Sequence, residues 1–228
     1  MSSRHTNLIL VRHGETVFNK QNRLQGLSNS SLTQAGIEAA QAVGLGLAAV
    51  PIEKVYCSDS VRTVQTTHEI LKAAHKETLP IIKKSFLREY YFGDFEGVKY
   101  QRAFRQLVQR YGVKTSRKVF QDPNFLELTL NGFSHLDETG QAENYDEIKT
   151  RLHLGLAELL ADPSNIGHNL LLVSHGVLLS TFIHMIDPAQ TPRTLLKNAS
   201  VSLIRYQDAT FTIQALNQTD FSQINDLL

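Results

Sequence analysis

Histidine, arginine and asparagine side chains recur just beyond three short apolar runs, and as a set they could handle a phosphoryl group. The first run, Asn7-Leu8-Ile9-Leu10-Val11, stops at Arg12-His13-Gly14-Glu15-Thr16, with Asn19 three residues on. A near copy, Asn169-Leu170-Leu171-Leu172-Val173, stops at Ser174-His175-Gly176, and six of the eight positions paired from 7 with 169 to 14 with 176 are identical. A third run, Lys54-Val55-Tyr56-Cys57, stops at Ser58-Asp59-Ser60, with Arg62 just beyond. Guanidinium forks grip the oxygens of a phosphate in pairs, and a neutral imidazole can attack phosphorus. A glycine after the histidine lets backbone approach an oxyanion. A helix starting near Ser60 would add unpaired N–H groups and a partial positive charge, which favour phosphate.

Such side chains act together only if the chain brings them to one place. Each apolar run has four or five residues, too short for a buried helix and suited to a buried strand. In open parallel α/β sheets, ligands bind at the carboxyl edge of the strands. The first and last runs are therefore expected to be neighbours that place His13 and His175 in one pocket. Between the runs the pattern turns helical. Thr33 is a plausible cap for a helix carrying Ala35, Ala39, Ala40, Val43 and Leu47, which Pro51 ends. Asp59 or Ser60 opens another, whose inner face is expected to hold Val61, Val64, Leu71 and Ala74. Further helices are predicted over 100–111, 143–160 and 177–186, an edge strand over 79–82 and a closing hairpin over 201–206 and 211–215. Strands alternating with helices imply a three-layer α/β/α sandwich on a mainly parallel sheet, built as one domain over 1–228. The aromatic stretch 86–97 reads as a structured loop, and 112–140 is the least regular part, an inserted lid over the pocket. Phe120, Phe125, Leu126, Leu128, Leu130 and Phe133 would either face the pocket or pack that segment down.

Composition narrows the field. The 228 residues carry a net charge of +1, which supports neither a nucleic-acid nor a membrane partner. Cys57 is the only cysteine, so no intrachain disulfide forms; with no signal-peptide pattern and no long apolar run, the expectation is a cytoplasmic protein. Cys57 itself is expected to be a buried structural thiol, and the other seven histidines show no metal-ligand spacing.

The chain resembles the histidine phosphatase superfamily, the clan that includes cofactor-dependent phosphoglycerate mutases. The resembling residues are Arg12-His13-Gly14-Glu15-Thr16 with Asn19, Gln25-Gly26, Leu32-Thr33 with Gly36, Ser58-Asp59-Ser60 with Arg62, Gln65 and Thr66, Leu87-Arg88-Glu89 with Phe92-Gly93 and Phe95-Glu96-Gly97, and Val173-Ser174-His175-Gly176. The resemblance implies a phosphoglycerate mutase-like fold and a set of roles. His13 would be the nucleophile that becomes phosphohistidine. Arg12, Arg62 and His175 would bind the phosphoryl group, with Asn19 and Gly176 beside it and Gln25 and Gly26 on the substrate side. Glu89 would be the general acid, raised into range by burial among Tyr90 and Tyr91. No metal or cofactor is required, and the partner is a small phosphorylated metabolite. Members are monomers or dimers, which leaves a homodimer open.

Mutases of the clan follow the acid glutamate with arginine and histidine, whereas Tyr90-Tyr91-Phe92-Gly93 follows Glu89 here. This favours a phosphomonoester hydrolase, with a mutase primed by 2,3-bisphosphoglycerate as the alternative. Where many relatives have Gly-Glu-Ser, this chain has Gly140-Gln141-Ala142-Glu143, and Glu143 is expected to be a first-turn helix acid. Individually each residue has another reading: Arg62 on a solvated helix face, Glu89 paired with Arg88, His175 as a core histidine, Glu15 as a supporting partner. Two other classes stay in view, a serine hydrolase on Ser174 and His175 and a non-catalytic module that binds a phosphorylated ligand.

Overall fold

The computed structural model describes residues 5–221 and 224. Among these, six strands form one sheet: β1 (Thr6–Arg12), β2 (Lys54–Cys57), β3 (Ile81–Lys83), β4 (Asn169–Ser174), β5 (Val201–Gln207) and β6 (Thr210–Gln218), in the order β3-β2-β4-β1-β5-β6. The two near-copy runs are neighbours. β1 and β4 pair in parallel with Asn7 opposite Asn169 and Arg12 opposite Ser174, so the sequence repeat is also the structural register. The Asn7 side chain donates to that of Asn169 at 2.8 Å and ties the starts of both strands. β2 and β3 continue the parallel half, and β5 and β6 add the antiparallel hairpin. Its two-residue turn, Asp208-Ala209, has positive φ at both positions, the geometry that matches strand twist in tight hairpins.

Among the described residues eight α-helices surround the sheet: α1 (Val17–Lys20), α2 (Gln34–Gly46), α3 (Val61–Ala73), α4 (Tyr100–Tyr111), α5 (Val113–Gln121), α6 (Phe125–Leu136), α7 (Tyr145–Ala161) and α8 (Gly176–Ile186). Alternation along the strands divides the core. Leu8, Leu10, Leu170 and Leu172 face α7 and α8, with Leu152, Leu156, Leu178 and Phe182 packed on them. Ile9, Val11, Leu171 and Val173 face α2 and α3, meeting Ala40, Val43, Ile70 and Leu71. The sheet is thus the middle layer of three. Among the described residues no helix is long and apolar enough to cross a membrane.

Two expectations need correction. Segment 112–140 is not irregular: it holds α5 and α6, joined at 122–124 around Pro123. Asn131-Gly132, which reads as a turn, lies inside α6. There a Cβ on Gly132 would stand 2.8 Å from Leu107 Cδ2, so the glycine answers to the close approach of α4. The inner face of α3 meets its expectation only in part: Leu71 and Ala74 are buried and Val64 packs on the core, but Val61 does not. Val61 is 49% exposed, and the buried face is Arg62, Thr63, Thr66, Thr67, Ile70 and Leu71. Thr66 and Thr67 return their hydroxyls to the carbonyls of Arg62 and Thr63, each at 2.7 Å, which is how polar side chains can line that face.

Candidate active site

The carboxyl ends of β1, β2 and β4 converge, and the residues beyond them form one buried polar cluster. His13 and His175 stand with ring centroids 5.3 Å apart, edge to face. The loop after β1 is held from three sides. The Gly14 N–H donates to Thr66 Oγ1 at 3.0 Å, and the Asn198 amide donates to the His13 carbonyl at 3.1 Å. Glu15 accepts from Thr33 Oγ1 at 2.7 Å, while that same Thr33 caps α2. Gly14 and Gly36 meet backbone to backbone, since a Cβ on Gly14 would fall 2.4 Å from Gly36 O. Glu15 is therefore a supporting partner, as its alternative reading had it.

Hydrogen bonds set the state of each imidazole. His13 Nδ1 lies 2.8 Å from the Gly14 carbonyl, which can only accept, so Nδ1 carries the proton and Nε2 the lone pair. Burial and then the charges of Arg62 and Arg12 hold His13 well below the usual imidazole range, and the ring is neutral. His175 is the mirror case. Its Nδ1 accepts from Arg62 Nε at 3.2 Å, which leaves Nε2–H as the donor, and that atom is buried without a partner. Burial and the same arginines push it down as well.

Arg62 is fully buried rather than solvated. A guanidinium is costly to bury unless its donors are used, and here they are: Nη1 to Ser28 O at 2.9 Å, Nη2 to Gly26 O at 2.7 Å, Nε to His175. Burial pushes it down to about 10, so it stays charged at neutral pH. Arg12 donates Nη1 to the Leu196 carbonyl and keeps Nε buried without a partner. Gly176 makes room for it, because a Cβ there would stand 3.1 Å from Arg12 Nε.

Glu89 does not pair with Arg88, which binds Asp59 instead. Its carboxylate sits at the start of α8, accepting from Val177 N–H at 3.0 Å, Leu178 N–H at 2.9 Å and Tyr90 N–H at 2.9 Å. Burial raises the Glu89 carboxyl; those N–H bonds and Arg62 pull the other way, and burial prevails. Of the two tyrosines expected around it, Tyr90 is buried, with its hydroxyl on the Leu130 carbonyl, while Tyr91 turns outward to Gln141.

A cavity of about 490 Å³ opens over this cluster. Arg12, His13, Asn19, Gln25 and Glu89 line it, whereas Arg62, His175, Gly176 and Gly26 do not and stand behind or beside its wall. Gly26 sits next to the wall residue Gln25; its carbonyl accepts from Arg62 and its N–H donates to Glu96 at 3.2 Å. The Gln25 side chain, though on the wall, accepts from Thr16 Oγ1 at 2.8 Å and donates to Ser30. Phe120, Phe125, Leu126, Leu130 and Phe133 of 112–140 do face the cavity, whereas Leu128 is exposed on another side. Glu143 is neither on the wall nor in a helical first turn. It precedes the cap Asn144 and binds Arg151 through two 2.8 Å contacts, while Arg151 also reaches the Phe86 and Arg88 carbonyls. Sequence reasoning missed that clamp, and it missed Tyr100 and Asn198. Tyr100 lines the cavity near Arg12 and Asn19, and Asn198 binds Asn19 at 3.1 Å. No local pattern marks either residue; only the fold brings them there.

Ser174 Oγ donates to the Leu87 carbonyl at 2.7 Å and is fully buried, so it is unsuited to nucleophilic attack. Cys57 is buried, and burial pushes its thiol up to about 11.

Residues 8–219 match the family model described as "Histidine phosphatase superfamily (branch 1)". A broad-specificity phosphatase of Saccharomyces cerevisiae is 30% identical over 204 residues, covering 87% of this chain and 79% of the relative. GpmB of Salmonella choleraesuis, named as a probable phosphoglycerate mutase, is 33% identical over 203 residues, covering 88% and 85%. The crystal structure of a phosphoglycerate mutase from Bacillus anthracis is similar with a TM-score of 0.91 at 29% identity, over 98% of each chain.

Proposed function

The chain belongs to the histidine phosphatase superfamily, and from that premise we propose that it hydrolyses phosphomonoesters through a phosphohistidine on His13. The observation that carries this reading is the state of His13: a neutral, buried imidazole on the cavity wall whose Nδ1–H is engaged by Gly14, leaving the Nε2 lone pair for attack. In the proposed reaction Nε2 bonds to phosphorus as the ester oxygen leaves, and Glu89 gives that oxygen its proton. Water then attacks the phosphohistidine, passes a proton back to Glu89, and inorganic phosphate departs. Charge growing on the phosphoryl oxygens is met by Arg12 Nε and by the His175 Nε2–H, both buried and without hydrogen-bond partners. Arg62 acts through His175: its Nε fixes that ring's tautomer and adds a positive charge. Asn19, on the wall beside Tyr100, supplies an amide to the same oxygens.

The mutase reading has two observations in its favour, the similarity to the Bacillus anthracis structure and to GpmB, named as a probable phosphoglycerate mutase. Against it stands the cavity wall. Beyond Arg12 and His13 its one other basic side chain among the described residues is Arg193, exposed at the rim. A mutase must hold a carboxylate and a second phosphate, and a wall of phenylalanine and leucine is poorly suited to either.

The test is hydrolysis of an aryl phosphate in EDTA by wild type and His13→Ala, with trapping of any phosphorylated enzyme under alkaline conditions, where a phosphohistidine survives, and a parallel mutase assay primed with 2,3-bisphosphoglycerate. Turnover that falls by at least about 10⁴-fold in the variant is expected. A primed mutase rate well above hydrolysis would replace this reading with the alternative. Binding of phosphate esters with neither rate would make the chain a binding module.

A further inference from the structure

The cavity is larger than a phosphoryl group needs. About 490 Å³ is enough for a small organic ligand. Away from His13 its wall is mostly Phe92, Phe104, Phe125, Leu126 and Phe133. Among the polar side chains that interrupt that wall, such as Thr129 and Thr194, one stands out. Ser180 lines the cavity, is 3% exposed, and its Oγ is buried with no hydrogen-bond partner. A helical serine can return its hydroxyl to the carbonyl four residues back. The adjacent Thr181 does so, to Val177 O at 3.0 Å, but Ser180 does not. A buried hydroxyl left unpaired is destabilising, so its presence here calls for a ligand atom. Its position is also informative. Ser180 follows Val177 by three residues on the same face of α8, and Val177 N–H holds the Glu89 carboxylate. The hydroxyl is thus about 4.5 Å further along the helix axis than the amide that fixes the acid.

We propose that the substrate is a phosphomonoester whose alcohol is a bulky apolar group, aromatic or branched, carrying one uncharged oxygen that hydrogen-bonds Ser180 Oγ. This rests on the phosphatase reading above and names the class of ester. Phosphate sits on the floor, the ester oxygen meets Glu89, the apolar body fills the phenylalanine-lined space, and the second oxygen lies about one helical turn deeper. A polyol phosphate does not suit this wall, because its hydroxyls would lie against phenyl rings without partners.

The test uses 2-naphthyl phosphate, a panel of its hydroxylated isomers and glycerol 3-phosphate as substrates. The corresponding methylphosphonates, which cannot be hydrolysed, serve as ligands in calorimetry. Wild type is expected to favour the naphthyl over the glyceryl compounds by on the order of 100-fold. At least one hydroxylated isomer should exceed plain naphthyl by about tenfold. Ser180→Ala should erase that second preference. Equal affinity for naphthyl and glyceryl phosphonates, no preferred isomer, or a preference that survives in Ser180→Ala overturns the proposal. If no ester is hydrolysed but the phosphonates follow the expected pattern, the phosphatase reading fails and the ligand class holds.

Discussion

The two ends of the cavity are built differently. The floor is built at strand ends: Arg12 and His13, backed by His175 and by Arg62 from the first turn of α3, are all buried, and each is fixed by a bond to backbone or to another member of the cluster. The roof is made of α4, α5 and α6. α5 has no buried residue, and its Phe120 is 54% exposed even though it lines the cavity. Its C-terminal end is tied down by Arg193, which donates to the Phe120 and Asp122 carbonyls and lies 4.5 Å over the Phe125 ring. A site that must stabilise charge needs fixed dipoles, whereas a site that accepts an apolar body needs area and access. Rigidity is placed where the chemistry is, and adaptability where the substrate varies.

The largest effect expected from breaking this division lies on the floor. Glu89→Gln should lower turnover of an alkyl phosphate by about 10²- to 10⁴-fold, and less for an aryl ester whose oxygen leaves without help. Because burial raises the Glu89 carboxyl, the wild-type rate on the alkyl ester should fall as pH rises through that raised value, and Glu89→Gln should lose this limb.

On the roof the main cost is stability. Phe133 is 2% exposed and packs edge to face on Phe92, Phe95 and Phe104 at 6.0, 5.1 and 5.5 Å. Phe133→Ala should cost about 3–5 kcal/mol in urea unfolding. A loss no greater than that of an exposed phenylalanine would mean that the roof is not packed on the floor.

Acid exposes the cost of the floor's neutral rings. His13 and His175 are held below the usual imidazole value of 6.5, so between 6.5 and their folded values the unfolded chain binds more protons. Stability is therefore lost as pH falls below 6.5. Glu89 acts oppositely: its raised carboxyl favours the fold at low pH, a contribution lost as pH climbs above 4.5. The difference between midpoints at pH 7.5 and 5.5 should shrink in His175→Asn, and an unchanged difference would assign the acid sensitivity elsewhere. The smallest effect is expected from Arg193→Ala. Amide exchange should quicken over 113–121 and stay as it was over β1 and β4.

How much of this could be read from the sequence follows the same division. Leu8 to Val11 and Leu170 to Val173 are unbroken apolar runs because both faces of their strands are covered, and each ends at its histidine. That signal is local and placed Arg12, His13, Asn19, Arg62 and His175 in one cluster, whereas Glu89, in an aromatic loop, came only with the family resemblance. α5 gave no such signal, since a helix with no buried residue has no core-facing stripe, and its Val113 is 71% exposed. Gly132 broke the pattern of α6 for a reason held by α4. The face of α3 was legible only through Leu71 and Ala74, because threonines bonded to their own helix look polar in sequence and are buried in the fold. Asn198 and Tyr100 depend on contacts spanning 185 and about 80 residues, which no window contains.

The position of β1 has a consequence for the order of assembly. Its two neighbours in the sheet are β4 and β5, which begin at residues 169 and 201. During synthesis, at about 5–20 residues per second, the strand that ends at His13 waits many seconds with both edges open. A nascent chain stopped before residue 169 has β2 and β3 to pair but nothing for β1, so an apolar strand stays available to any other edge that passes. Closure of the sheet comes late and joins both histidines in one event: the chain covers the edges of β1 and completes the cavity floor at the same moment.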